Sequence, residues 1–517
     1  MIYRILSNNG GNLTNIMRSV CALTALALGL GSAPARATPP AAATTTVTLA
    51  PATMVTEDGT RVAFELGALH VRENRAVAGS AVIDIGFARL RAVHATGAPP
   101  IIFLPGGPGA SYLDAFTDTT DNARRRLGIF RRYAAVADVV VFDQRGFSRP
   151  GTTLELPPGV SAPLDRPSTI AATTAAWREF ARASIAANPG HDLAGYTIAA
   201  CAADVDDLRR ALGYRQWSLL ATSFGAQESF AVMRLYPETV ARAVLSGVEP
   251  LDDGYDMPSQ VFAALQRIAF DADRAAELQP YLPAGGLIAA VRELRARFAR
   301  GPVTVRVTDP KTGAPASVVL GLEDLQGALL GHEAEDWPAF VLALYHGHYE
   351  TWARNEIAER RTPSYSSVIN LLIDAATDAS PTRKHQLATD PATDYLGTGG
   401  FEPSEDSRTA WPVADLGDAL RAPVQSPIPV VFLNGDWDTS TPIENMLHIA
   451  AYFPNGRAVV VHRGEHAAPT RLTRESPAAF AAILEFFRTG RTEQLPSEIT
   501  LRAPTFTRPD FPPPTRS

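Results

Sequence analysis

The stretch Leu-Leu-Ala-Thr-Ser-Phe-Gly-Ala-Gln, residues 219–227, sets Ser223 between small residues directly after an apolar run. A serine hydroxyl is a poor nucleophile until a base takes its proton, so serine chemistry also needs a histidine that is itself held by a carboxylate. Two later segments offer both. Asn-Gly-Asp-Trp-Asp-Thr-Ser-Thr-Pro, 434–442, carries Asp436 and Asp438, and Val-His-Arg-Gly-Glu-His-Ala, 461–467, carries His462 and His466. Asp438 is the preferred acid and His466 the preferred base: His462 closes an apolar run, while His466 follows Gly464 in a loop. A fourth part is Leu-Pro-Gly-Gly-Pro-Gly-Ala-Ser, 104–111, whose backbone N–H groups, with that of Phe224, can receive a developing oxyanion.

Each part has a plainer reading. Ser223 fits a turn or helix N-cap as well as a nucleophile. Asp438 beside Thr and Pro can cap its own backbone. The glycine-rich turn can cradle phosphate, although no Walker lysine or dinucleotide fingerprint follows it. What separates the readings is the chain order serine, acid, histidine, together with an oxyanion turn after an earlier strand, which is the pattern of serine hydrolases on open α/β sheets.

Such a site needs a sheet to carry it. Ile101-Ile102-Phe103-Leu104 and Val139-Val140-Val141-Phe142 are continuous apolar runs, as expected of strands covered on both faces in a largely parallel sheet. Trp217–Ala221, Arg242–Ser246, Pro429–Leu433 and Ala458–Val461 continue the rhythm, and helical patterns between them imply a doubly wound α/β fold. Arg61–Leu66 and Ala81–Val93 alternate apolar and polar residues, the mark of antiparallel strands with one wet face. From about Asp252 to Pro423 the rhythm gives way to helices, with one hairpin expected between 303–307 and 317–320. The chain divides into a loose leader at 38–58, a core at 59–250, a cap insertion at 251–425, the rest of the core at 426–495 and an extended Pro-rich tail at 496–517.

Composition excludes several functions. The 517 residues carry a net charge of -7 with no basic block, which argues against a nucleic-acid partner. Arg18, the apolar stretch from Val20 to Leu30 and Ala35-Arg36-Ala37 read as an export signal at 1–37, with Met17 as an alternative start; the apolar run is too short for a membrane span. The protein is therefore expected in the periplasm or outside the cell, without stable membrane insertion after processing. Only two cysteines occur. Cys21 leaves with the signal, so Cys201 has no disulfide partner and reads as a small buried residue.

Gly106-Gly107-Pro108-Gly109, Phe142-Asp143-Gln144-Arg145-Gly146, the Ser223 elbow and Gly435-Asp436-Trp437-Asp438 followed by Thr441-Pro442 resemble the proline iminopeptidase and tripeptidyl aminopeptidase family of α/β-hydrolases. The resemblance implies an α/β-hydrolase fold with a helical cap, a triad of Ser223, Asp438 and His466, and an oxyanion hole at the backbone of Gly107 and Phe224. It further implies that Asp143 and Arg145 brace the site as an ion pair. Three departures stand out: Pro105 replaces a histidine of the smaller members, Ala221 replaces a glycine, and no second glycine follows the Gln-Arg-Gly-Phe-Ser segment.

An exopeptidase of this kind must hold a free α-ammonium, for which a carboxylate is the natural partner. The family places such acids in the cap, where Glu333, Glu335, Asp336, Glu350 and Asp374 are available, each also readable as an ordinary solvated charge. His346-Gly347-His348 lacks a third ligand at a metal-binding spacing. Trp337, Tyr345 and Tyr349 fit a substrate pocket or helix packing equally. The sequence is thus read as an exported serine hydrolase without cofactor or metal, an aminopeptidase on peptides with a free N-terminus. A carboxylesterase on small esters and a non-catalytic binding protein of the same fold are the alternatives.

Overall fold

The structure is a computed structural model, and it describes residues 45–514 apart from 310, 399 and 467. The proposed export signal, both candidate starts and Cys21 lie outside the described residues. Among the described residues, no helix is long and apolar enough to cross a membrane.

The strands are β1 (Thr46–Val55), β2 (Arg61–Arg72), β3 (Val82–Leu90), β4 (Ile101–Leu104), β5 (Val139–Phe142), β6 (Trp217–Thr222), β7 (Val240–Ser246), β8 (Val303–Thr308), β9 (Pro315–Leu320), β10 (Val430–Gly435), β11 (Arg457–His462) and β12 (Glu498–Thr500). Ten of them form one sheet in the order β1-β2-β3-β5-β4-β6-β7-β10-β11-β12. β1, β2, β3 and β5 pair antiparallel in succession, and from β5 onward every neighbour is parallel. β8 and β9 make the expected separate hairpin.

The apolar runs of the parallel strands feed two cores, because successive side chains point to opposite faces. Ile102, Leu104, Val140, Phe142, Val430 and Phe432 lie in one; Ile101, Phe103, Val139, Val141, Val431 and Leu433 lie in the other. The segment between β7 and β10 builds a third core around Trp337, Trp352, Leu294 and Val341. This helical cap also touches the main core: helix Val368–Thr377 buries Ile369 and Leu372 there.

The N-terminal end differs from expectation. The leader is not loose, since Thr46–Val55 pairs with β2 along its whole length; its Val, Thr and Met side chains supply β-propensity that the Ala and Pro content masks. The tail is extended but docked. β12 joins the sheet beside β11, Phe506 and Phe511 pack against the cap core, and the Tyr281 hydroxyl donates to Phe511 O at 3.0 Å.

Candidate active site

Parallel register brings the loops of the site together. Leu104 at the end of β4 sits beside Ala221 of β6, Thr222 beside Ser246 of β7, and Ser246 beside Leu433 of β10. The chain leaving each of these strand ends therefore meets above the middle of the sheet, where open α/β sheets bind ligands.

Ser223 stands between β6 and helix Phe224–Leu235 with φ 59° and ψ −131°. A non-glycine residue rarely occupies this region, which costs on the order of 1–3 kcal/mol and persists only where the surroundings enforce it. Here the Ser223 N–H donates to Ser246 O at 3.0 Å, and Ser223 O accepts from Ala226 N at 2.7 Å. Gly225 is required by close approach: a Cβ there would lie 2.1 Å from Leu104 O. Ala221 in place of the usual glycine is accommodated, because its methyl points into the buried core.

Asp438 and His466 meet as expected, with His466 Nδ1 at 3.0 Å from Asp438 Oδ2. Asp438 Oδ1 accepts from Ser440 N (2.9 Å) and Thr441 N (3.0 Å), and Oδ2 from the Thr441 hydroxyl (2.7 Å). The turn-cap role and the triad role thus coexist in one carboxylate. Burial alone would push its pKa up, but the imidazole and the Thr441 donors outweigh that and hold it below the ordinary value. Burial works against protonated His466, and the Asp438 carboxylate overcomes it, so the imidazole titrates above an ordinary histidine. Ser223 and His466 line one cavity, and a Cβ on Gly247 would touch both His466 Cε1 at 3.0 Å and Ser223 N at 3.2 Å.

The competing residues pair with each other instead. His462 Nδ1 lies 2.8 Å from Asp436 Oδ2, while Asp436 Oδ1 accepts from Arg463 N at 2.8 Å. They face a second, shallower cavity that contains neither Ser223 nor His466.

Gly106, Gly107 and Gly109 line the cavity beside Ser223. Their turn is fixed by Gln144, a residue the sequence reading passed over. Its Nε2 donates to Pro105 O (3.0 Å) and Gly106 O (3.1 Å), and its Oε1 accepts from Gly109 N (2.6 Å). Ser367, at the start of helix Val368–Thr377, adds a bond from its hydroxyl to Pro108 O at 3.2 Å. The expected ion pair between Asp143 and Arg145 is absent. Arg145 is fully buried and binds Asp204 through Nε and Nη2, each at 2.7 Å, with Nη1 on the carbonyls of Glu73 and Gly195. Asp143 accepts from Ser111 and Ser148 hydroxyls and Arg149 N, and burial, partly offset by these donors, raises its pKa to about 7.

The cap carboxylates separate by position. Glu333 lines the cavity, facing Glu465, whose Oε2 accepts from Ala334 N at 2.8 Å. Glu335, Asp336 and Glu350 are exposed and do not line it; Glu335 and Asp336 hold Thr507 of the tail. Asp374 sits on helix Val368–Thr377 with its pKa raised to about 7 by burial. It belongs with two acids that no motif marked, Glu249 and Asp256, in the chain that leaves β7. Burial pushes both well above the carboxylate range; Asp256 and Asp374 reinforce the shift of Glu249, and Asp438 that of Asp256. Asn370 Nδ2 reaches Asp374 at 3.3 Å, whereas Glu249 and Asp256 accept no side-chain or backbone hydrogen bond from the described residues. Arg383, whose guanidinium acts on Asp256, is committed to Asp253 at 3.0 Å.

Trp337, Tyr345 and Tyr349 are cap packing, with Trp337 Nε1 donating to Leu329 O at 3.0 Å. His346 and His348 pack on Phe511, and no cluster of metal-binding side chains occurs among the described residues. Cys201 is buried beneath the sheet and its thiol pKa is driven up by burial.

Residues 99–280 match the family model for the alpha/beta hydrolase fold, and residues 404–498 match that of the TAP-like protein. Comparison with curated proteins gives no match. Among solved structures, a serine hydrolase from Cycloclasticus zankles is similar at 12% identity over 82% of this chain and 98% of its own, with a TM-score of 0.35. A thermophilic esterase from Thermogutta terrifontis is similar at 16% identity over 81% and 99%, with a TM-score of 0.31. At scores of this size the fold assignment rests on the sheet topology and the two family matches.

Proposed function

The chain belongs to the TAP-like α/β-hydrolases, and from that premise we propose that it is a serine hydrolase acting as an aminopeptidase on peptides with a free N-terminus. Ser223 Oγ gives its proton to His466 and bonds to the substrate carbonyl carbon, while Asp438 stabilises the imidazolium. The oxyanion is received by the backbone N–H groups of Gly107 and Phe224, where one such donor contributes about 3–4 kcal/mol. His466 then protonates the leaving amine as the C–N bond breaks, and water repeats the sequence to free Ser223 from the acyl group. No cofactor takes part in these steps. Export from the cell accompanies this proposal and rests on residues 1–37 alone.

One observation carries the aminopeptidase reading: Glu249 and Asp256 lie within electrostatic reach of Asp438, and Asp374 within reach of Glu249, while none of the three forms an ion pair among the described residues. Half-buried carboxylates without hydrogen-bond donors gain from a ligand cation, because a charge-assisted bond replaces an uncompensated desolvation. A carboxylesterase is the second reading, favoured by the aromatic and aliphatic side chains that line much of the cavity. Chromogenic aminoacyl and tripeptidyl amides, free and N-acetylated, assayed beside short-chain esters with Ser223→Ala protein as the blank, separate the two. Much faster turnover of free amines than of acetylated amides and simple esters is expected; turnover of esters and acetylated amides with equal efficiency would overturn the aminopeptidase reading.

A further inference from the structure

The cavity that holds Ser223, about 670 Å³ in volume, continues past the triad. One lobe descends from the oxyanion turn along the sheet, between helix Asp121–Tyr133 and helix Ala468–Glu475. Its walls are Phe103 of β4, Leu220 of β6, Tyr112, Ile129, Phe130 and Tyr133. Strands covered by helices on both faces have their side chains sealed, as Leu219 and Ala221 are here; Leu220, between them in the middle of the sheet, is only partly buried. The helix above it leaves Ile129 partly open in the same way.

This space is preformed and apolar. Phe130 packs edge-on against Phe103 at 5.2 Å and stacks with Phe116 at 5.8 Å, and Tyr112 lies 4.9 Å from Phe103. A void walled mainly by carbon offers water few hydrogen-bond partners, the Tyr112 and Tyr133 hydroxyls among them, and forfeits dispersion contacts until carbon fills it. Arg125 and Asn122 stand at its outer rim and are exposed.

We propose that this lobe takes an apolar arm of the substrate, an aliphatic or aromatic group several carbons long, and so sets substrate preference. The proposal rests on the serine hydrolase reading of Ser223 and deepens it by naming the substrate class. The same apolar chemistry can come from the acyl part or from the leaving group.

Two ester series, one lengthened in the acyl chain and the other in the alcohol, distinguish those sources in the full-length protein. In one series kcat/KM is expected to rise about 2- to 4-fold per methylene until the lobe is full. Leu220→Phe and Ile129→Trp, which fill the lobe, should abolish that rise, and cooperative thermal unfolding near the wild-type midpoint shows that the variants fold. No rise with length in either series, or a rise that survives both substitutions, would overturn the proposal. Calorimetric binding of decanoate is independent of turnover: binding by the wild type and its loss in both filled variants is expected, and equal binding by all three would refute the lobe. Failure of the hydrolase reading looks different, as absence of Ser223-dependent turnover of the shortest ester.

Discussion

Asp438 and Asp256 are neighbouring carboxylates, the first fully buried and the second half-buried, close enough to influence each other, yet the fold treats them in opposite ways. Asp438 receives two backbone N–H groups, a threonine hydroxyl and an imidazole, and stays ionised. Asp256, like Glu249, receives none and is driven toward the neutral acid. The difference lies in local solvation by protein dipoles. In the proposed reaction, the carboxylate that holds an imidazolium in every cycle has permanent donors, whereas the one left without donors would be completed by the substrate ammonium.

That contrast can be broken from either side. The largest effects belong to the fully partnered half: Ser223→Ala should lower kcat by about a million-fold and Asp438→Asn by about ten-thousand-fold, on every substrate alike. Single-turnover kinetics on one amide and one ester checks this. In the other half the loss should depend on the substrate. Asp256→Asn and Glu249→Gln should each reduce kcat/KM for free amines by about 10- to 100-fold, the value of a charge-assisted bond, and leave N-acetylated substrates near the wild type. Equal losses on both would mean that these acids only support the fold.

Smaller effects sharpen the comparison. Gln144→Ala removes the clamp on the oxyanion turn and should lower kcat by about 10-fold with little change in KM, since it holds a donor and is not one itself. The pH profile carries a sign. His466 acts as base only when neutral, and its pKa lies above that of an ordinary histidine, so kcat/KM should rise with pH to a plateau reached above neutrality. With free amines the rate should fall again as the substrate ammonium loses its proton near pH ~8.

How far the sequence discloses this site follows from which contacts are local. Ser223, Asp438 and His466 each follow an apolar strand in a fixed order, so their meeting is written into the topology of a parallel sheet. Glu249 and Asp256 carry no such mark. They follow β7 on an irregular path, and only the helix bearing Asp374, more than a hundred residues later, gives them a common site. Asp143 and Arg145 mislead for the converse reason: nearness in sequence suggests a pair, but the true partner of Arg145 is Asp204, on helix Ile198–Ala211. The leader misreads as loose because its order comes from pairing with β2, which no composition reveals, and the docking of the extended tail on the cap is hidden for the same reason.

The most direct test of the central claim is the intact mass of the protein after treatment with a fluorophosphonate, with the modified peptide located by fragmentation. A single adduct on Ser223, lost in Ser223→Ala and strongly slowed in His466→Ala, is the predicted result. No adduct on the wild type, or an adduct that persists in Ser223→Ala, would contradict a nucleophile at the elbow between β6 and its helix.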